Sequence, residues 1–270
     1  MKSRRLIFVG LGLNDEKGIT LKGLEEVKKA DTVFIELYTS LMPELSIEKL
    51  EKLIGKKIKI VSRRDLEEES GAEIISAAMN GTTVLLVPGD PLIATTHIDL
   101  RIRAEKKGIE TNVIHAPSII SAAIGISGLQ VYKFGKTVTI PFPEYGVISE
   151  TPYNIIMENR QRNLHTLCLL DVKAEKEKYM TIKEALEILM KIEEEKNKGI
   201  ITGDTLAVGI ARVGSENTEV KAGAVNELLK YNFGSPPHTL IFPASLHFME
   251  VKALITLAKA PKWIEKWLKD

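Results

Sequence analysis

The segment Thr82-Thr83-Val84-Leu85-Leu86-Val87-Pro88-Gly89-Asp90-Pro91-Leu92-Ile93 constrains the fold more than any other part of this sequence. Its first half is an unbroken β-branched and apolar run, the pattern of a strand covered on both faces. The run then stops abruptly. Pro88 and Pro91 remove two backbone donors and Gly89 opens unusual dihedrals, so neither a helix nor a ladder continues through the turn. A carboxylate at the carboxyl end of a buried strand stands where an open α/β sheet holds its ligand. Asp90 is expected to be exposed there. The same residues also make ordinary turn chemistry, so the segment alone leaves a binding loop and a plain strand end as alternatives.

Strand and helix patterns alternate on either side of it. Strands are expected at 6–9, 32–37, 57–61 and 110–114. Thr20 and Ser46 stand where helix N-caps belong, and Gly55 where a helix stops. A helix is expected over 65–79, and another runs through Leu100, Ile102 and Ala104 to Gly108. A helix dense in Ala, Ser and Gly follows at 119–126. This alternation predicts a largely parallel sheet with helices on both faces. The texture changes around 132–145, so the chain divides into two α/β domains, 1–136 and 137–270. The second half has a helix at 152–163, a strand at 164–170 and a long helix capped by Thr181. Strands at 205–210 and 239–242 follow, with a hairpin arm at 219–221, a short helix at 225–229 and a last helix at 247–259. Trp263 and Trp267, four apart, are expected on one helical face.

Composition excludes several classes of function. Lys and Arg total 37 against 36 Asp and Glu, a net charge of +1, which is not the footprint of a nucleic-acid binder. Cys168 is the only cysteine, so no intrachain disulfide forms and a reducing, cytoplasmic setting is expected. It lies in an apolar run and reads as a small buried hydrophobe. The basic start at 1–5 precedes an apolar run too short for a signal peptide. No apolar run reaches membrane-spanning length. Abundant Lys, Glu and Ile with scarce Gln matches the composition of proteins from heat-loving organisms.

The chemistry narrows by elimination. Gly10-Leu11-Gly12-Leu13 follows the first strand, but a dinucleotide fingerprint needs a third glycine where Asp15 stands, and a Walker lysine is missing. None of the five histidines stands at a zinc-ligand spacing from Cys, Asp or Glu, so no metal site is expected. There is no Gly-x-Ser-x-Gly elbow. His165 and His247 read as structural, whereas His97, His115 and His238 sit at element ends and carry more weight. What remains is a set of strand-end loops at 10–13, 88–93 and 116–119, then at 170–171, 212–214 and 236–238. They offer backbone groups, small side chains, apolar walls and a carboxylate. Such a set suits an uncharged or zwitterionic ligand with an apolar ring.

Several segments carry a resemblance. Phe8-Val9-Gly10-Leu11-Gly12-Leu13 with Gly18-Ile19-Thr20-Leu21-Lys22-Gly23-Leu24 is similar to the opening of the tetrapyrrole methylase superfamily, the class III S-adenosylmethionine methyltransferases. Pro88-Gly89-Asp90-Pro91 resembles its Gly-Asp-Pro loop. Glu36-Leu37-Tyr38-Thr39-Ser40-Leu41, Gly89 through His97, His115-Ala116-Pro117-Ser118-Ile119 and Tyr132-Lys133-Phe134-Gly135-Lys136 resemble the diphthine synthase branch. So do Leu170-Asp171-Val172-Lys173-Ala174 and Pro236-Pro237-His238, so the resemblance covers essentially the whole chain. The tetrapyrrole enzymes usually continue Gly-Pro-Gly-Asp after the first Gly-x-Gly. Here Asn14-Asp15-Glu16 stands instead, which argues against a tetrapyrrole substrate.

The resemblance implies two α/β domains with a cofactor cleft between them and a homodimer. It implies methylation of the amino group of a 3-amino-3-carboxypropyl chain on a histidine of translation elongation factor 2. S-adenosylmethionine is the implied donor and S-adenosylhomocysteine the product. Carried over residue by residue, the cofactor contacts are Leu13, Asp90, Ile93, Ser118, Ile119, Leu170, Val213 and His238. Each attack needs a neutral amine, so a nearby base or plain solvent takes its proton; no base is assigned, and His97 and Asp90 are the candidates. A same-fold methyltransferase for a small molecule and a non-catalytic adenosyl-ligand regulator remain as alternatives.

Overall fold

A computed structural model describes residues 4–268, so Met1–Ser3 of the basic start lie outside the described residues. The chain forms two compact units, residues 1–119 with 172–177, and residues 120–171 with 178–270. This division falls earlier than the one expected after Lys136. The stretch after the small-residue helix is tied to the last helix, Gln130 N–H donating to Glu250 at 2.8 Å. A Cβ on Gly128 would stand 2.6 Å from that of Ala253.

The first unit is a parallel five-stranded sheet in the order β3-β2-β4-β1-β5. Its strands are β1 (Arg5–Gly10), β2 (Thr32–Glu36), β3 (Lys59–Val61), β4 (Thr82–Val87) and β5 (Glu110–Ile114). The apolar run of the central segment is β4, between β2 and β1. Side chains alternate across such a strand, and β1 splits accordingly. Leu6 and Phe8 pack with Ile74, Ile75 and Ala78 of α3 (Ala72–Met79) and with Leu100 and Ala104 of α4 (Ile98–Lys106). Ile7 and Val9 pack on the other face with Val27 of α1 (Leu21–Lys29) and Leu50 and Ile54 of α2 (Ile47–Ile54). Burying each such side chain stabilises by about 1.5–3 kcal/mol.

The expected caps form. Thr20 accepts from Gly23 N–H at 3.1 Å and Ser46 from Lys49 N–H at 3.3 Å, while Gly55 turns left-handed at φ 72°. The expected helix over 65–79 does not form as one piece. Arg64–Glu68 makes a π-type turn, Ser70 and Gly71 adopt φ of 59° and 64°, and only then does α3 begin. Asp65 accepts from the backbone and hydroxyl of Ser62, both at 2.7 Å, a local bond that competes with helix continuation.

The second unit starts one residue into α5 (Ile119–Ser127) and holds a mixed sheet of five strands, β11-β10-β12-β7-β6. These are β6 (Val138–Ile140), β7 (Thr166–Leu170), β10 (Leu206–Ala211), β11 (Glu219–Ala224) and β12 (His238–Phe242). The short strands β8 (Val172–Lys173) and β9 (Lys178–Tyr179) follow β7 in sequence. Only β6 and β7 run parallel; β10 pairs antiparallel with both β11 and β12, and β12 with β7. The parallel order expected from the alternation of the first half holds in the first unit, and here β10 and β11, joined without a crossover helix, pair antiparallel as the expected hairpin arm at 219–221 implies. Tyr153 and Ile156 of α6 (Thr151–Gln161) and the stripe Ile182, Ala185, Leu189 and Ile192 of α7 (Ile182–Lys196) cover one face. Thr181 and Glu184 close a capping box at the start of α7. Cys168 is fully buried in this core, as expected, and burial pushes its thiol pKa up.

After α8 (Val225–Leu228), α9 (Phe248–Leu257) begins with His247 as its N-cap. The tail Lys262–Trp267 is a 3-10 helix. Residues four apart do not share a face at three residues per turn, so the expected Trp263–Trp267 stripe does not form. Trp267 instead packs against the Arg160 guanidinium, 5.6 Å from its ring centre.

Candidate functional site

In the first unit the sequence-derived loops meet at the carboxyl ends of β4, β1 and β5, which are adjacent in the sheet. The Gly-x-Gly and Gly-Asp-Pro loops are zipped together. Gly89 N–H donates to Gly12 O at 2.8 Å, Gly12 N–H returns to Gly89 O at 3.2 Å, and Leu11 N–H reaches Val87 O at 2.8 Å. Both glycines need positive φ, 72° at Gly12 and 71° at Gly89. Gly10 is required for a different reason. A Cβ there would lie 2.5 Å from Gly89 O and 2.7 Å from the Cβ of Ala116. Its missing side chain lets the loops after β4 and β5 close over the end of β1.

That closure corrects one expectation. Asp90 is buried, 6% exposed, and does not stand free in solvent. Its Oδ2 lies 2.7 Å from His115 Nδ1, and its Oδ1 accepts from Leu92 N–H at 3.2 Å. His115 carried a hint in sequence, as the residue ending a strand, but nothing there paired it with Asp90. Leu13 is half-buried beside the zipped glycines, Ile93 is 45% exposed, and Ser118 and Ile119 are half-buried where α5 begins.

Below the loop sits a buried titratable cluster. His97 is 2% exposed; its Nδ1–H donates to Pro91 O at 3.2 Å, and its Nε2 faces Glu36 Oε1 at 3.9 Å. Burial pushes His97 down to about 4, with the Pro91 carbonyl acting weakly the other way, so the ring is neutral. Glu36 accepts from Tyr38 N–H at 2.9 Å, Thr39 N–H at 3.1 Å and the Thr39 hydroxyl. Burial still pushes its carboxyl up to about 7. His97 therefore props the loop from inside the unit. The motif Glu36-Leu37-Tyr38 was visible in sequence, but its closeness to His97 was not.

In the second unit, Leu170, Val213 and His238 gather at one end of the neighbouring strands β7, β10 and β12. Ala211 pairs with His238 and Leu169 with Thr239. Arg212, at φ 52°, donates its N–H to Pro237 O at 2.8 Å. Its guanidinium caps Phe233 O at 2.5 Å and Ser235 O at 2.7 Å. His238 Nδ1 accepts from Ile182 N–H at 3.2 Å, at the start of α7. Burial, with Arg212 nearby, pushes His238 down to about 4. Leu170 is buried and Val213 half-buried.

His165 is structural, as expected. Its Nε2–H donates to Glu250 at 3.0 Å and its Nδ1 accepts from Ala244 N–H at 2.9 Å. Burial alone would raise Glu250, but His165, Lys133 and the N–H groups of Gln130 and His247 hold it down at about 2.

Paired glycine and Gly-Asp-Pro loops at the ends of two central strands, followed by a second α/β unit, define a class. The sequence matches the family of tetrapyrrole (corrin/porphyrin) methylases over residues 5–229. Diphthine synthase of Methanocaldococcus jannaschii is 49% identical over 251 residues, 92% of this chain and 97% of that relative. That of Methanocella arvoryzae is 47% identical over 253 residues, 94% and 98% of the two chains. A crystal structure of diphthine synthase matches with a TM-score of 0.88 at 42% identity, over 98% of this chain and 100% of that one. The chain belongs to the tetrapyrrole methylase family, in its diphthine synthase branch.

Proposed function

We propose that this protein methylates the amino group of the 3-amino-3-carboxypropyl chain on a histidine of translation elongation factor 2, giving diphthine. The observation that carries the reading is near-complete correspondence with diphthine synthases, 49% identity over 97% of one relative's length. S-adenosylmethionine would supply a sulfonium-bound methyl, an electrophile that needs no metal and no covalent nucleophile. The first unit fits such a ligand. Among the described residues, its chain neighbours aside, no atom lies within 4 Å of where a Cβ on Gly89 would stand, so the loop is open above that glycine while it is closed at Gly10.

In this reading the eight residues named from sequence contact the cofactor. Leu13 and Ile93 of the first unit and Leu170 and Val213 of the second are its apolar contacts, with Ser118 and Ile119 of the first and His238 of the second. Asp90, held by His115 and Leu92 N–H, accepts a hydrogen bond from a polar part of the ligand. The protein's task is to bring a neutral amine in line with the methyl and to exclude water. His97 is committed to the loop, so its part is support. The protein acts in the cytoplasm as a homodimer. Exposed apolar side chains, Tyr132 at 94%, Val131 at 55% and Phe248 at 52%, support a contact with a second copy. Among the described residues no helix is long and apolar enough to cross a membrane.

Incubation with methyl-labelled S-adenosylmethionine and elongation factor 2 bearing the aminocarboxypropyl histidine tests the reading. Label on that histidine, with masses rising in methyl steps to the trimethyl form, is expected. A protein that binds the cofactor in a calorimeter yet leaves elongation factor 2 unlabelled would overturn it.

A further inference from the structure

One cavity in the first unit has no part in the proposed cofactor contacts. It has a volume of about 190 Å³ and is lined by Tyr38, Arg63, Lys173, Ala174, Glu175 and Lys176. At about 30 Å³ per water it has room for roughly six waters, or for a short branched chain. Three of its side chains are cationic and one is anionic. The Arg63 guanidinium lies 5.3 Å from the centre of the Tyr38 ring and 3.8 Å from Glu67. Tyr38 is 6% exposed; its buried hydroxyl lies within reach of Thr96 and Glu67 but makes no hydrogen bond of good geometry among the described residues. A buried phenol so loosely partnered can turn its O–H to a better-placed acceptor.

The cavity adjoins the central loop. The Tyr38 ring lies 6.3 Å from that of His97, whose Nδ1 holds Pro91 of the loop that carries Asp90. The modifying chain of the proposed substrate carries one anionic group, a carboxylate, bonded to the same carbon as the reacting amine. A guanidinium presents paired donors that match a carboxylate. Fixing the carboxylate fixes the amine two bonds away, the positioning a methyl transfer needs.

We propose that this cavity binds the carboxylate of the 3-amino-3-carboxypropyl chain, with Arg63 as the main specificity-determining residue and the Tyr38 hydroxyl as a second donor. The inference rests on the function proposed above. Lys173 and Lys176 of the lining add positive potential, and Glu175, with Glu67 beside Arg63, limits it, so the site favours one carboxylate over a polyphosphate.

The test compares two forms of elongation factor 2, one with the free carboxylate on the modified histidine and one with that carboxylate converted to the carboxamide. The native enzyme is expected to prefer the acid by about 10–100-fold in kcat/KM, the range of a hydrogen bond to a charged group. Arg63→Gln lowers kcat/KM for the acid by that factor, changes the carboxamide rate little, and leaves KM for S-adenosylmethionine unchanged. Tyr38→Phe gives a smaller loss on the acid alone. Equal rates on both forms by the native enzyme, or an Arg63→Gln enzyme that keeps the full preference, overturn the carboxylate assignment and leave the function standing. Transfer to neither form overturns the function, and the assignment falls with it.

Discussion

The carboxylate of Asp90 and the imidazole of His115 lie 2.7 Å apart although 25 residues separate them in sequence. Their strands, β4 and β5, flank β1 on opposite sides. The two loops reach each other only because Gly10, at the end of β1, carries no side chain. A carboxylate so held presents its acceptor in one orientation, which suits binding a ligand better than moving a proton.

Asp90→Ala therefore weakens S-adenosylmethionine binding first. Loss of a hydrogen bond to a charged acceptor, about 1.5–3 kcal/mol, corresponds to about tenfold or more in the calorimetric Kd. Full affinity with abolished transfer would instead place Asp90 in the chemistry.

Gly10→Ala tests the closure itself. The added methyl meets Gly89 O and the Ala116 Cβ, and neither belongs to a flexible side chain. Overpacking of this kind costs about 1–3 kcal/mol. A urea titration is expected to show that loss, and the calorimeter a weaker cofactor, because both loops must move.

Glu36 and His97 bias stability in opposite directions with pH. Glu36 ionises near 4.5 when unfolded and only near 7 in the fold, so stability falls as pH rises between those values. His97 protonates near 6.5 when unfolded and near 4 in the fold, so its part is lost as pH falls through that window. Glu36→Gln keeps the shape and removes the first effect. The variant's stability relative to the parent is expected to rise by roughly 2–3 kcal/mol from pH 4.5 to pH 7 and then level off. A pH-independent difference in thermal unfolding would show that Glu36 is ionised in the fold.

Glu250 acts at the acid end. Held near 2 against 4.5 when unfolded, it contributes stability that is present above pH 4.5 and lost as pH falls towards 2. Glu250→Ala leaves His165 and Lys133 without their shared partner. The expected cost is about 3–5 kcal/mol in urea unfolding. It should shrink in acid, where the parent loses the same interaction.

Much of the architecture was legible from local signals. The caps at Thr20, Ser46 and Thr181, the stop at Gly55 and the apolar run of β4 each act within a few residues of where they are written. Failures came where a short-range rule met a competing bond. Ser62 and Asp65 divert the chain before a helix can run from 65, and the last turn tightens so that Trp263 and Trp267 part. The strand-end loops were legible as candidates because Gly, Pro and Asp restrict the backbone wherever they occur.

The sequence by itself determined the order of the elements, the places where strands end, and membership of a methylase family. The tertiary structure decided that Asp90 is buried against His115, that His97 lies under the loop beside Glu36, and that Tyr38 and Arg63 share a cavity with residues 173–176. Periodicity and capping are local and can be read along the chain. Strand order in a parallel sheet is set by packing between distant segments, and it alone determines which loop ends become neighbours.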